Sequence, residues 1–141
     1  MFKMFSIMTV LGLALLAVPI TAQTIDPQKA TVPFAFFAGN RQLPAGDYAI
    51  RETLPFTILI LSPTKGAFVL VRPAAAERTE DQGRLVFNKY TGDRYFLREV
   101  WYQGAKNGLA VPRSQKEKEV VSSTLISGLR PERAVVLLAG K

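Results

Sequence analysis

The sequence predicts a mainly β fold: a small antiparallel sandwich or barrel of about seven strands with one C-terminal amphipathic helix. Several short runs alternate apolar and polar residues, which is the period of a half-buried strand. Turns that contain Pro or Gly separate these runs. One stretch near the C-terminus instead spaces its apolar residues by four, as a helix does. The length of 141 residues suits one domain.

The N-terminal segment has the pattern of a secretory signal peptide. Lys3 precedes an uncharged apolar run, Met4 to Val18, and Pro19 then breaks this run before the small residues Thr21 and Ala22. The run is shorter than the roughly 20 apolar residues of a membrane-spanning helix, although an uncleaved anchor remains the alternative. No Cys follows it, which excludes lipoprotein attachment.

This pattern sets the expected organisation of the chain. We expect cleavage near Ala22, so that residues 1–22 are the signal peptide, 23–29 a mobile lead-in and 30–141 a single β-rich domain. The protein would then be exported, to a periplasm or out of the cell. The sequence does not distinguish these two destinations.

The amino-acid composition excludes several kinds of functional site. The chain has no Cys and no His, so it lacks disulfides, thiolate nucleophiles and the commonest metal ligand. The net charge is +7, from 18 basic and 11 acidic side chains. That balance favours anionic partners, although a basic surface that only aids solubility is the simpler interpretation.

Two strands are expected at the start of the domain. In Ala30–Ala38 the residues Val32, Phe34 and Phe36 alternate on one side, and Pro33 should lie at a strand start or edge. Gly39-Asn40 and Leu43–Asp47 are turns. A second strand then follows at Tyr48–Thr53.

Three blocks resemble a group of small, signal-peptide-bearing bacterial proteins of uncharacterised function. The pattern of that group is PFxFxAGxxxLPAGxYxI, then YFLxxVW, then LPxSxxE. The chain has PFAFFAGNRQLPAGDYAI, YFLREVW and VPRSQKE, where Val111 replaces the usual Leu. The resemblance spans most of the residues after the signal peptide. It implies secretion and a compact β-rich domain, and it brings no activity.

The next two runs predict a buried hairpin. Phe56–Leu61 and Ala67–Arg72 are apolar on both faces, and Ser62–Gly66 forms a loop between them. Strands of this kind are normally covered on both sides. Pro73–Gly83 is expected to be a charged loop, with or without one helical turn around Ala74–Glu77.

Arg84–Tyr102 predicts the central hairpin, with two registers left open. With Thr91-Gly92 as the loop, Phe87 faces Phe96 and Val86 faces Leu97, pairs that stabilise a sheet. With Gly92-Asp93 as the loop, or with a four-residue loop, Val86 faces Glu99. Turn chemistry favours this second register because Thr disfavours positive φ. We favour the first register.

The same hairpin supplies the candidate ligand-binding residues. Strict alternation puts Tyr95, Leu97, Glu99 and Trp101 on one face and Phe96, Arg98, Val100 and Tyr102 on the other. If one face is exposed, it offers two aromatic side chains beside a charge, and such groups bind glycans and proteins. The candidate residues are Tyr95, Arg98, Trp101 and Tyr102. The alternative is that both faces are covered.

A helix should follow the loop Gln103–Gly108. Ser114 and Glu117 have the S-x-x-E spacing of a helix cap, and Val121, Leu125 and Leu129 form an apolar stripe. Gly128 and Pro131 end the helix. A strand over residues 119–126 is the competing interpretation, because β-branched residues are frequent there. Ala134–Ala139 should be a last strand that closes the sheet.

Catalytic patterns are weak throughout. Ser62 and Ser114 have no His to activate them, and a Ser–Lys pair with Lys65 or Lys116 is explained less well than a helix cap. Glu52 and Glu99 would need to meet across a cleft for glycoside hydrolysis. The cluster of Glu77, Glu80 and Asp81 lacks the spacing of a calcium loop. We therefore expect no enzyme, no cofactor and no metal.

The expected function is a secreted, non-enzymatic binding or structural module of unknown ligand. An anionic surface, a glycan or a protein could be the partner. Nucleic acid is disfavoured, because the hairpin aromatics are explained as core and export removes the chain from most nucleic acid. The alternative function is a carrier that holds a lipid or small hydrophobic molecule inside a β-barrel.

Overall fold

The computed structural model describes residues 27–75, 82–105, 107–126 and 130–139. The expected signal peptide, the acidic cluster of residues 77–81 and the apolar residue at 129 lie outside the described residues. Within them the chain forms eleven strands and one helix. The bounds are β1 Gln28–Val32, β2 Phe36–Ala38, β3 Arg41–Leu43, β4 Gly46–Leu54, β5 Thr57–Leu61, β6 Gly66–Leu70, β7 Arg72–Ala75, β8 Arg84–Tyr90, β9 Arg94–Trp101, β10 Asn107–Ala110, α1 Gln115–Ile126 and β11 Glu132–Leu137.

The strands form two antiparallel-rich sheets, which confirms the mainly β, sandwich-like fold with one helix. The four-stranded sheet has the order β1-β4-β5-β6, and the seven-stranded sheet has the order β11-β8-β9-β10-β7. The short hairpin β2–β3 joins the larger sheet because β2 runs parallel to the start of β9. The sheets do not close into a barrel. The strands outnumber the expected seven because several are only three to five residues long.

The core lies between the two sheets. Large side chains from both sheets are fully buried there, including Phe36, Ile50, Ile58, Phe87 and Leu97. The ring of Phe36 lies 5.3 Å from the rings of both Tyr48 and Phe87, in edge-to-face geometry, and so links the two sheets. Alternation along the strands produces this core, as the sequence predicts.

The expected first strand is in fact two strands in different sheets. Val32 ends β1 in the four-stranded sheet, whereas Phe36 begins β2 in the seven-stranded sheet. Pro33 lies at the break between them. A proline has no N–H to donate to a ladder, and here the chain leaves one sheet and crosses to the other.

Two expected loops contain strands. Arg72–Ala75 forms β7, which pairs with β10 at the edge of the larger sheet, where Pro73 is tolerated. Asn107 and Gly108 belong to β10 rather than to the loop that we expected over residues 103–108. Neither segment alternates long enough for its sequence to identify it as a strand.

The C-terminal region resolves one alternative and corrects one expectation. Residues 115–126 are helical, so the strand interpretation of residues 119–126 is wrong. The last strand spans Glu132–Leu137 and lies beside β8 at an edge of the larger sheet. It therefore ends that sheet instead of closing it.

The β5–β6 hairpin forms as expected, but it is covered on only one face. Ile58 and Ile60 point into the core, whereas Leu61, Phe68 and Leu70 remain 46%, 71% and 72% exposed. The expectation of cover on both sides is wrong, because no second layer of the described structure packs on the outer side of this sheet. This outer side becomes important below.

Candidate functional site

The register of the central hairpin changes along its length, so neither of the two predicted registers applies throughout. Tyr90 pairs with Arg94 across a three-residue loop, Thr91–Asp93, in which Gly92 and Asp93 have φ of 83° and 54°. A bulge then shifts the register, so that Val86 lies opposite Glu99. The favoured Thr91-Gly92 register is therefore wrong. The Val86–Glu99 pair of the second register is confirmed.

The bulge redistributes the side chains of β9 between the two faces of the sheet. The pairs Phe87–Leu97 and Leu85–Val100 belong to the core. Arg84 instead pairs with Trp101, on the outer face of the sheet. Strict alternation would have placed Leu97 and Trp101 on the same face. They lie on opposite faces because the bulge adds one residue between them.

The four predicted ligand-binding residues do not form one exposed surface. Tyr95 is half-buried and stacks on Phe34, with ring centroids 3.7 Å apart. Trp101 is only 6% exposed, and its Nε1 donates to Glu99 Oε2 at 2.9 Å. Arg98 is half-buried, with its Nε 3.7 Å from Glu99 Oε1.

Tyr102, the fourth of these residues, is half-buried against the core. Burial raises the pKa of its hydroxyl, and nearby Glu52 raises the pKa further. The hydroxyl has no hydrogen-bond partner within the described part of the chain. Together with Tyr95, this side chain therefore supports the core side of the hairpin.

The helix is fastened to the larger sheet through a buried carboxylate. Ser114 Oγ accepts the backbone N–H of Glu117 at 3.2 Å and so caps the start of α1. The Glu117 side chain is 3% exposed. Its Oε1 accepts two hydrogen bonds of 2.9 Å, from Asn88 Nδ2 and from the Tyr90 hydroxyl. The sequence predicted the cap, but not these two contacts with β8.

The raised pKa of Tyr90 helps to keep the hydrogen bond between β8 and α1 intact. Burial, followed by the hydrogen bond to Glu117, raises the pKa of Tyr90 to about 12. Tyr90 therefore stays protonated near neutral pH and continues to donate to the carboxylate. Lys116, the residue before Glu117, has its Nζ 5.7 Å from the centroid of the Phe37 ring, and that ring stacks on Phe96.

The acidic residues considered for catalysis are not brought together. Glu52 is on β4 of the four-stranded sheet, opposite Ile58. Glu99 is on β9 of the other sheet, where it contacts Trp101 and Arg98. Within residues 27–75, 82–105, 107–126 and 130–139, no group of three or more Asp and Glu side chains could hold a metal ion.

The most unusual surface lies on the outer side of the four-stranded sheet. We call it the apolar face, and it consists of the exposed residues Leu54, Phe56, Leu61, Phe68 and Leu70 with half-buried Leu59 between them. Strand pairing sets these side chains in adjacent rows, with Leu54 opposite Thr57, Thr57 opposite Leu70, and Leu59 opposite Phe68. Monomeric proteins rarely expose such contiguous apolar area, and large patches mark interaction sites.

One end of the apolar face is a tight turn with an uncommon backbone. Pro55 and Phe56 connect β4 to β5, and Phe56 has a φ of 59°. A bulky side chain rarely adopts positive φ, because Cβ crowds the backbone. The Val71 N–H donates to the Phe56 carbonyl at 2.8 Å and holds the turn in place. The Phe56 side chain nevertheless stays 61% exposed.

Basic side chains border the apolar face. Arg51 is exposed on β4 opposite Leu59, and Arg41 lines a groove of about 790 Å³ together with Leu59, Leu61 and Phe68. Lys65 is exposed in the β5–β6 loop. None of the three has an ion-pair partner among the described residues. Asp47, at the β1 end of the same sheet, accepts a hydrogen bond from Thr31 Oγ1 at 2.6 Å.

Sequence reasoning did not identify the apolar face, although its signal was present. The same two-sided apolar pattern in Phe56–Leu61 and Ala67–Arg72 is compatible with burial on both sides or with one exposed contact surface. Periodicity cannot distinguish these cases, because both place apolar residues at every position. The difference depends on whether another layer packs against the sheet.

Comparisons with protein-family models, with curated proteins and with solved structures found no match. The resemblance to the group of small secreted bacterial proteins therefore remains a prediction. In the part of the chain that the structure describes, no helix has the length and apolar character to cross a membrane.

Proposed function

We propose that this chain is an exported, non-enzymatic binding module and that the apolar face is its contact surface. The exposure of Leu54, Phe56, Phe68 and Leu70, each between 61% and 72%, is the observation that carries the proposal. Burying one Leu or Phe side chain stabilises a fold or a complex by about 1.5–3 kcal/mol. With four such side chains exposed, the free protein lacks this stabilisation. A binding partner would recover that free energy.

The fold does not need these side chains for its own core. The opposite side of the same strands already supplies Ile50, Ile58, Ile60 and Val69, each buried to 3% exposure or less. The outward residues could therefore have been polar, as in most one-sided antiparallel sheets. Their apolar character favours a role in contact with a partner.

The geometry favours an external contact over the carrier alternative. Large side chains from both sheets fill the space where an internal ligand would lie, among them Phe36 and Phe87 from the larger sheet and Ile58 from the smaller one. An enclosed lipid would have to displace this packing. The hairpin residues Tyr95, Arg98, Trp101 and Tyr102 then serve mainly as scaffold behind the contact surface.

Export is part of the proposal because of the N-terminal segment. The order of Lys3, apolar run and small residues is the pattern of a signal peptide. The absence of Cys means that the exported protein would depend on its packed core for stability rather than on disulfides.

Photo-crosslinking in the producing cell tests the proposal. A photoreactive residue replaces Phe68 in one variant and Val135 in the other; both positions are exposed and apolar, but they lie on different sheets. We expect a cross-linked product from position 68, either to a protein or to a lipid, and none from position 135. Equal products from both positions, or no product from position 68, would refute the proposed contact surface.

A further inference from the structure

We infer that the partner of the apolar face is the surface of an anionic phospholipid bilayer. This inference rests on the proposed function and names the partner of that same surface. Proteins that lie on a membrane combine exposed Phe and Leu side chains, which enter the interface, with Lys and Arg, which attract anionic headgroups. The apolar face and its border provide both components.

The border provides the charge. Arg41, Arg51 and Lys65 surround Leu59, Leu61 and Phe68, and none of the three cations is neutralised by a described acid. Among the described residues Asp47 is the acid on the same side of the sheet. It lies opposite Thr31 on β1, the strand that also carries exposed Lys29. The excess is therefore positive, in the same sense as the net charge of +7 of the whole chain.

The Pro55-Phe56 turn provides a point of insertion. Its positive φ directs a bulky aromatic side chain into solvent at a backbone cost of order 1–3 kcal/mol. Glycine or asparagine would occupy this backbone position with less strain. Leu54, which is 65% exposed, lies two residues away, so the tip carries two apolar side chains.

Charge also argues against a second copy of the chain as the partner. Pairing two apolar faces would bring two sets of Arg41, Arg51 and Lys65 together, and among the described residues only the two copies of exposed Asp47 on this side would oppose these six cations. Repulsion between like charges opposes such an interface. A bilayer that contains anionic lipid is complementary to the same residues, since each basic side chain near its surface is attracted.

Vesicle co-sedimentation tests the inference. The protein is purified from the cell that produces it and added to two kinds of vesicle. One kind is pure phosphatidylcholine, and the other contains phosphatidylcholine with one third phosphatidylglycerol. We expect binding to the anionic vesicles only, and weaker binding at 1 M salt, where the Debye length falls to about 3 Å. Equal binding to both vesicle types, or no binding to either, would overturn the inference.

Variants locate the contact. Phe56→Asn should lower the partition constant about tenfold, and Arg51→Gln about fivefold. Asn tolerates the positive φ, so a loss of binding by this variant does not reflect misfolding. The matched controls Val135→Ser and Arg133→Gln, both exposed on β11, should bind within twofold of the unchanged protein. Unchanged binding by Phe56→Asn would overturn the inference.

The two proposals can fail separately. If the vesicles do not bind but position 68 cross-links to a protein, the bilayer is wrong and the contact surface stands. If light scattering finds a dimer that Phe68→Thr converts to a monomer, a second copy is the partner, and the bilayer inference is again overturned. If neither position 68 nor the vesicles give a signal, both proposals fall.

Discussion

Glu117 is the residue on which the position of the helix depends. Its carboxylate is buried and bound by Asn88 and Tyr90, two neutral donors on β8. A buried charge is tolerated only where hydrogen bonds replace water. The S-x-x-E spacing predicted the helix start because that signal is local. The contacts with β8 could not be predicted, because they join residues 27 and 29 positions apart.

Replacement of Glu117 tests this fastening. Glu117→Ala should lower the free energy of unfolding by about 2–3 kcal/mol, because it leaves Asn88 and Tyr90 without their acceptor. Glu119→Ala is the control, since Glu119 is exposed on the same helix and the change in helix propensity is identical. Urea denaturation measures both. Equal losses would show that the buried carboxylate adds nothing beyond helix propensity.

The raised pKa of Tyr90 predicts a loss of stability in alkali. Its pKa is about 12 in the folded protein and 10.0 in the unfolded chain, so the protonated hydroxyl is stabilised by folding. The contribution is complete below pH 10 and is lost as pH rises through 12. The free energy of unfolding between pH 8 and 12 should therefore fall less steeply in Tyr90→Phe. Parallel curves for the two proteins would contradict the role of this hydroxyl.

At the scale of elements, one bulge in β9 decides which side chains share a face. Alternation predicted several of the strands, such as β4, because they have one buried face. It could not locate the bulge, because Arg94–Trp101 carries apolar and charged residues at alternate positions of both kinds, so an extra residue leaves no clear mark in the pattern. The separation of Leu97 from Trp101 follows from that residue. At Pro33 the sequence likewise predicts a strand start or edge and not a crossing between sheets.

The packing of β10 on Trp101 gives a test at this scale. A Cβ on Gly108 would lie 2.6 Å from the Trp101 ring, so Gly108→Ala should destabilise the protein by about 1–3 kcal/mol. Gly66→Ala is the control. There the nearest atom is the Leu61 Cδ1 at 2.8 Å, at the end of an exposed side chain that can rotate away. Thermal unfolding compares the two variants, and a larger loss for Gly66→Ala would contradict this packing.

At the scale of the whole molecule, the sandwich has one face that its own core does not require. The sequence predicted a mainly β sandwich or barrel because alternation and turns are local patterns. It did not predict the apolar face, because whether a third layer covers a sheet depends on the arrangement of all the elements. The candidate site consequently moved from the aromatic hairpin to the outer side of β4, β5 and β6.

Substitution on this face should separate binding from stability. The double change Phe68→Thr and Leu70→Thr keeps strand propensity, and both positions are more than 70% exposed. We expect the free energy of unfolding to change by less than about 0.5 kcal/mol. Ile58→Ala, on the buried side of the same sheet, should cost about 2–5 kcal/mol. Comparable losses from the two changes would mean that the outer residues belong to the core.

Hydroxyl-radical footprinting of the protein, free and mixed with envelope fractions of the producing cell, tests the central claim most directly. The oxidation of Phe56, Phe68 and Leu70 should fall in the mixture, whereas that of Val135 and Leu137, which are also more than half exposed but lie on β11, should stay unchanged. Protection confined to Tyr95 and Tyr102, with Phe68 and Leu70 oxidised as in the free protein, would place the contact on the hairpin and contradict the account.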